Sequence, residues 1–210
     1  MPTLTENPVA AALALALLGL ILAVTLALSI AAAVRRARAL AVGAASGLLV
    51  TLIVASLWSL PASPVIQVTL VLTLSVIGVL GGSGAARLAL GWAGEGPETE
   101  GMHGGLLVPE SESESDTNDG EPALSPGVAH PTRTREVLRG GTTIGVLERI
   151  ALIGAILTGY PEAIAALVAI KGIGRFGELD TPATRERFLI GTLASLIWAA
   201  AAAAAAVLLV

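Results

Sequence analysis

Between Pro8 and Val34 the chain runs for 27 residues without a charged side chain. Wound as a helix at about 1.5 Å per residue, such a stretch crosses a hydrocarbon core of about 30 Å with some tilt. Lipid offers no partner to backbone N–H and C=O groups, so a crossing segment must satisfy them internally, as a helix does. The composition agrees: 54% of residues are hydrophobic, 13% are charged and the mean hydropathy is +0.82. A soluble domain carries about twice that share of charge. The expected fold is therefore all-α, a polytopic membrane protein.

Helix boundaries are written in proline. Asn7-Pro8, Ser63-Pro64 and Thr181-Pro182 each place a capping residue before a proline, which at the first helical position gives up a donor that has no intrahelical partner. The first apolar run stops at Arg35, Arg36 and Arg38. A second runs from Leu40 to Leu60, with Trp58 near its end as an interfacial indole. A third runs from Pro64 to the glycines at 81–84 or on to Trp92, with Arg87 in its last part. A fourth spans Gly141 to Tyr160, a fifth Pro161 to Phe176, and the last is uncharged from Phe188 to Val210. The first residues, Met1 to Glu6, lack the positive region of a secretory signal, and the apolar run behind them is too long for one.

Six crossings follow, three and three. Residues 1–92 form one membrane region and 140–210 the other. Residues 93–139 read as a disordered acidic linker: positions 95–121 hold nine acidic residues and no Lys or Arg. Phosphorylation of Ser111, Ser113 or Ser115 is a secondary reading of that segment, after a plain spacer. With the N-terminus outside, the Lys and Arg residues fall on or near the cytoplasmic side, Arg149 alone lying within a run. The turns near 61–64 and 159–162 carry none. This satisfies the positive-inside rule and predicts a multi-pass inner-membrane protein with both termini outside and the linker cytoplasmic. The fifth run offers only about 20 Å of helix, so runs four and five are either two crossings or a re-entrant hairpin.

Charges inside apolar runs are the candidate functional residues. Folding runs four and five about Gly159 and Tyr160 brings Glu148 and Lys171 to the same depth, with Arg149 and Arg175 close by. Pairing reduces the cost of burying each charge. Gly145, Glu148, Leu152, Ala155 and Gly159 share a helical face whose small residues suit a close approach of the fifth run; Gly191 and Ser195 offer another contact. The bland reading is a structural pair that fixes helix register, with charges shallow enough to snorkel. The sharper one is a proton or ion relay, or a headgroup site.

Other chemistry finds little footing. There is no cysteine, and both histidines, His103 and His130, fall in the linker. No catalytic constellation, metal site or cofactor motif is evident. Gly172, Gly174 and Gly177 match Gly-x-Gly-x-x-Gly, but a membrane helix precedes them where a dinucleotide site needs a strand. The cluster Arg133, Arg135 and Arg139 suits topology, with anionic lipid as a lesser reading. The one long polar segment is acidic, which argues against nucleic acid.

Ile144 to Arg149, then Ala169 to Lys171 with Arg175 to Leu179, then Glu186 to Thr192 with Ser195, resemble the C-terminal part of an uncharacterised bacterial membrane-protein family, the DUF3307-like proteins. The resemblance covers about a third of the chain, and position 172 is Gly where relatives carry Ser. It implies a bacterial inner membrane and marks Glu148, Arg149, Lys171 and Arg175, but supplies no activity. The leading expectation is a non-enzymatic structural or interaction component of the membrane. Its partners would be lipids, a second copy or another membrane protein. The alternative is a small transporter or channel using the charge pair. A lipid-processing role is the third and weakest.

Overall fold

The computed structural model describes residues 8–57, 63–93, 106–109, 134–137, 141–175 and 182–209. Six helices carry the architecture: α1 (Pro8–Arg35), α2 (Arg38–Leu57), α3 (Pro64–Trp92), α4 (Gly141–Leu157), α5 (Glu162–Arg175) and α6 (Pro182–Leu209). Two short strands, β1 (Leu106–Pro109) and β2 (Thr134–Val137), pair antiparallel with Leu106 opposite Val137. They lie inside the stretch expected to be wholly irregular. Both flank the acidic segment: β1 is apolar throughout, and β2 carries β-branched residues at its two ends, Thr134 and Val137. The acidic run itself, Trp58 and the serines between the strands lie outside the described residues.

Among the described residues four helices, α1, α2, α3 and α6, are long and apolar enough to cross a membrane. They account for four of the six expected crossings, the first, second, third and sixth apolar runs. Helix α4 has 17 residues and α5 has 14, or about 25 Å and 21 Å, each short of a 30 Å core. The third helix does not stop at its glycines: α3 runs through Gly81 and Gly82 to Trp92.

The prolines sit where their chemistry places them, at the first turn of α1, α3 and α6. Ser63 precedes α3 with extended backbone, and its carbonyl, not its hydroxyl, makes the cap, accepting from Gln67 N at 3.0 Å. Helix α1 ends by a two-residue reversal in which Arg36 adopts φ 51° and its N–H donates to Ala32 O at 3.1 Å. Arg87 Nη2 from α3 donates to the same carbonyl at 2.8 Å. A cation at a helix C-terminus also meets the negative end of the macrodipole.

Helices α1 and α2 form an antiparallel pair through residues spaced three and four apart. Leu18, Leu22, Thr25, Ser29 and Ala32 are buried on α1, and Ala41, Ala44, Leu48, Thr51 and Ala55 on α2. Such spacing makes a continuous apolar seam. The hydroxyls within it are satisfied locally: Thr25 Oγ1 donates to Ile21 O, Ser29 Oγ to Thr25 O and Thr51 Oγ1 to Gly47 O, at 2.8–2.9 Å. A Cβ at Gly47 would overlap Thr25 Oγ1, so that glycine sets how close α2 lies to α1.

Helices α3 and α6 make the most extensive contact of the fold. On α6, Ala199, Ala202, Ala203, Ala205 and Ala206 are fully buried, and on α3, Gly78, Gly81, Gly82 and Gly84 face the packing partners. Small residues let backbones approach, which is how helices gain dispersion energy in an apolar medium. The approach exposes a main-chain acceptor as well. Trp198 Nε1 donates to Ile77 O at 3.0 Å, across the place where residue 81 has no side chain.

Candidate functional site

The site is the junction of α3, α4, α5 and α6. Adjacent positions on a helix are about 100° apart, so Glu148 and Arg149 face different neighbours. Glu148 turns to α5, where the Lys171 ammonium forms an ion pair with its Oε2. Lys171 Nζ also lies 5.6 Å from the centroid of the Phe188 ring on α6, within cation–π range. Arg149 turns the other way. Its Nε donates to Val79 O of α3 at 2.7 Å and its Nη1 to Ser195 Oγ of α6 at 2.8 Å. Both residues are buried, Glu148 at 8% and Arg149 at 5% exposure, and values so low mean that the charges depend on protein partners and not on water.

The position of the Arg149 bonds along α3 and α6 is something the sequence does not give. Val79 lies fifteen residues after Pro64 and thirteen before Trp92, and Ser195 lies thirteen after Pro182 and fourteen before Leu209. Arg149 is therefore bonded to the midpoints of the two helices that pack most extensively, about 20 Å from either end.

The glycines divide differently from expectation. Gly159 does not pack against α5. It has φ 74° and open space around it, and it ends α4 in a Schellman turn: Tyr160 N donates to Ala155 O at 2.8 Å and Gly159 N to Ile156 O at 3.1 Å. Only glycine takes that conformation without steric cost. A Cβ on Gly145 would lie 3.3 Å from Arg149 Nη1, so this position makes room for the guanidinium of its own helix and not for α5. A Cβ on Gly191 would lie 3.7 Å from Leu90 Cδ1 of α3, an ordinary contact distance. Ser195 is a hydrogen-bonding partner as well as a packing residue. Arg175 ends α5, and its side chain lies outside the described residues.

Sequence reasoning missed Gly82. A Cβ there would overlap Arg149 Cδ and lie 2.9 Å from both Arg149 Nε and Ser195 Oγ. The usable signal was the Gly-Gly pair at 81–82 inside an apolar run, which marks a place where something approaches the backbone.

Chemically the junction is two cations and one anion, each held by named partners. Among the described residues no group of three His, Cys, Asp or Glu side chains could hold a metal ion. No family model, curated protein or solved structure matches the chain.

Proposed function

We propose that this chain is a multi-pass protein of a bacterial inner membrane with a structural or interaction role, in which the α4–α5 hairpin is a wedge locked onto the α3–α6 pair. The observation that carries the reading is Arg149, whose guanidinium joins three helices at their middle. A relay group must exchange partners during a cycle; here Arg149 donates to a backbone carbonyl that stays where helix α3 stays. Membrane residence is supported by the apolar stripe that α1 turns outward, with Leu13, Leu17 and Leu20 about 60% exposed. A contiguous apolar face of that length is rare against water and ordinary against lipid. The resemblance to DUF3307-like proteins belongs to the same proposal.

The lock is tested by exchanging its charges. Glu148→Lys combined with Lys171→Glu is expected to accumulate in membranes and to melt in detergent within a few degrees of the parent. Each single reversal, which places like charges together, is expected to be lost. If the exchanged protein folds like the parent but abolishes a proton or ion flux that parent liposomes display, the transport reading replaces this one.

Orientation is part of the proposal. Arg35, Arg36 and Arg38 at the α1–α2 turn, Arg87 in the last turns of α3, and Arg185 and Arg187 at the start of α6 are placed on the cytoplasmic side. The chain has no cysteine, so single cysteines report topology directly. A membrane-impermeant thiol reagent added to intact cells is expected to label Ser63→Cys and Tyr160→Cys, and to spare Ala37→Cys and Ala183→Cys. The reverse pattern would overturn the orientation. Labelling at position 63 without labelling at 160 would make the hairpin re-entrant.

A further inference from the structure

We infer that the α1–α2 turn is a binding site for the phosphodiester headgroup of an anionic lipid. Three arginines fall within four residues there: Arg35 closes α1, Arg36 forms the reversal and Arg38 opens α2. All three are exposed, and none makes a hydrogen bond or ion pair to a described residue. Their surroundings explain why. From position 7 to position 93 the sequence contains no Asp or Glu, so the three-helix region that holds these cations supplies no counter-charge of its own.

The turn is built and not merely basic. Ala32 O accepts both Arg36 N and the Arg87 guanidinium, which ties the reversal to α3. The Arg38 side chain lies over Gly91, where a Cβ would sit 3.2 Å from its Nε and Nη2. Next along is Trp92, 82% exposed, an indole at the level of the arginines. Val34, 76% exposed, continues the surface on the apolar side of Arg35. Cations, an indole and an apolar side chain at one helix end match the layers of a lipid: phosphate, interface and acyl chain. Arginine binds phosphate oxygens in pairs, and its planar fork suits a diester. An acidic polypeptide would satisfy the charge but would leave Trp92 and Val34 without a reason to be exposed beside it. This inference rests on the membrane reading but not on the hairpin lock or on which face is cytoplasmic.

The test uses the full chain in neutral detergent micelles doped with phosphatidylglycerol or phosphatidylcholine, with bound lipid counted by native mass spectrometry. Near a membrane surface each arginine is worth about a fivefold gain in anionic-lipid affinity. The triple change Arg35→Gln, Arg36→Gln and Arg38→Gln is expected to weaken phosphatidylglycerol binding roughly a hundredfold and to leave phosphatidylcholine unaffected. Trp92→Ala, which leaves all charges in place, is expected to weaken both lipids severalfold. It also keeps the question answerable if the triple variant misfolds, since phosphatidylglycerol binding to the parent should then fall steeply with salt. Equal phosphatidylglycerol binding by parent and triple variant would overturn the site. So would displacement of the lipid by inorganic phosphate at equal concentration, or by a peptide with the sequence of residues 95–121. Because micelles have no sidedness, a failed orientation test leaves this result readable.

Discussion

Glu148→Gln is expected to destabilise the protein by about 3–5 kcal/mol, the cost of removing one member of a buried ion pair. The reason lies in the count of charges. Glu148 is the anion between Lys171, with which it is paired, and Arg149, its neighbour in sequence. Glutamine fills the same space and can accept a hydrogen bond, yet it leaves the Lys171 ammonium without its counter-charge and Arg149 without the carboxylate next to it. The side chain of Lys171 is 16% exposed, and its long stem can carry the ammonium toward water, which places the effect at the low end of that range. Lys171→Met is expected to cost less, about 1–2 kcal/mol, because Glu148 keeps Arg149 as a neighbour. The double variant should recover only part of the loss, since Arg149 remains buried. A coupling energy of about 1–3 kcal/mol from the four proteins is the expected signature of contact. Unfolding by denaturing detergent, followed through the fluorescence of buried Trp198, measures it. A Glu148→Gln protein that unfolds with the parent would show that the charges are held for something other than folding.

Much of this arrangement is legible in the sequence because it depends on local chemistry. Pro8, Pro64 and Pro182 announce their helices by what proline cannot do elsewhere. The meeting of Glu148 with Lys171 follows from equal distance to the turn at Gly159. What the sequence hides is which face of a helix finds which neighbour. Arg149 and Glu148 are consecutive, and one helical step sends them to different partners. Ser195 is 46 residues from Arg149 and Ile77 is 121 from Trp198, so no local pattern links either pair. The glycines show the same limit. Gly159 ends a helix, Gly145 admits a guanidinium and Gly82 receives one from another helix, and the letter in the sequence is the same each time. Helices α4 and α5 are too short to announce a full crossing, and only the bonds of Arg149 reveal that the hairpin docks at the midpoints of α3 and α6.

Alanine in place of Gly81 or Gly82 is the second large effect. By helix propensity alone the change should help, since alanine is favoured over glycine by about 1 kcal/mol in a helix interior. Space decides otherwise. At position 81 the new Cβ would overlap Cζ2 and Cε2 of the Trp198 ring and lie 2.5 Å from its Nε1. An indole is rigid, so the relief must come from moving α6 away from α3, which also stretches the bond from Nε1 to Ile77 O. Overpacking costs about 1–3 kcal/mol and a buried donor left unpaired about 1–3 more. The net expectation for Gly81→Ala is a loss of about 2–4 kcal/mol. At position 82 the intruding carbon meets Arg149 and Ser195, and the arginine stem can shift a little, so about 1–3 kcal/mol is expected. The internal control is Gly154→Ala on α4, where a Cβ finds nothing within 4 Å. There propensity acts unopposed, and a gain of about 0.5–1 kcal/mol is expected. Three identical substitutions in membrane-like helices thus carry two signs, and the melting order Gly154→Ala above parent above Gly82→Ala above Gly81→Ala checks them together. If all three shift in the same direction, close approach at Gly81 and Gly82 does not hold α4 and α6 to α3.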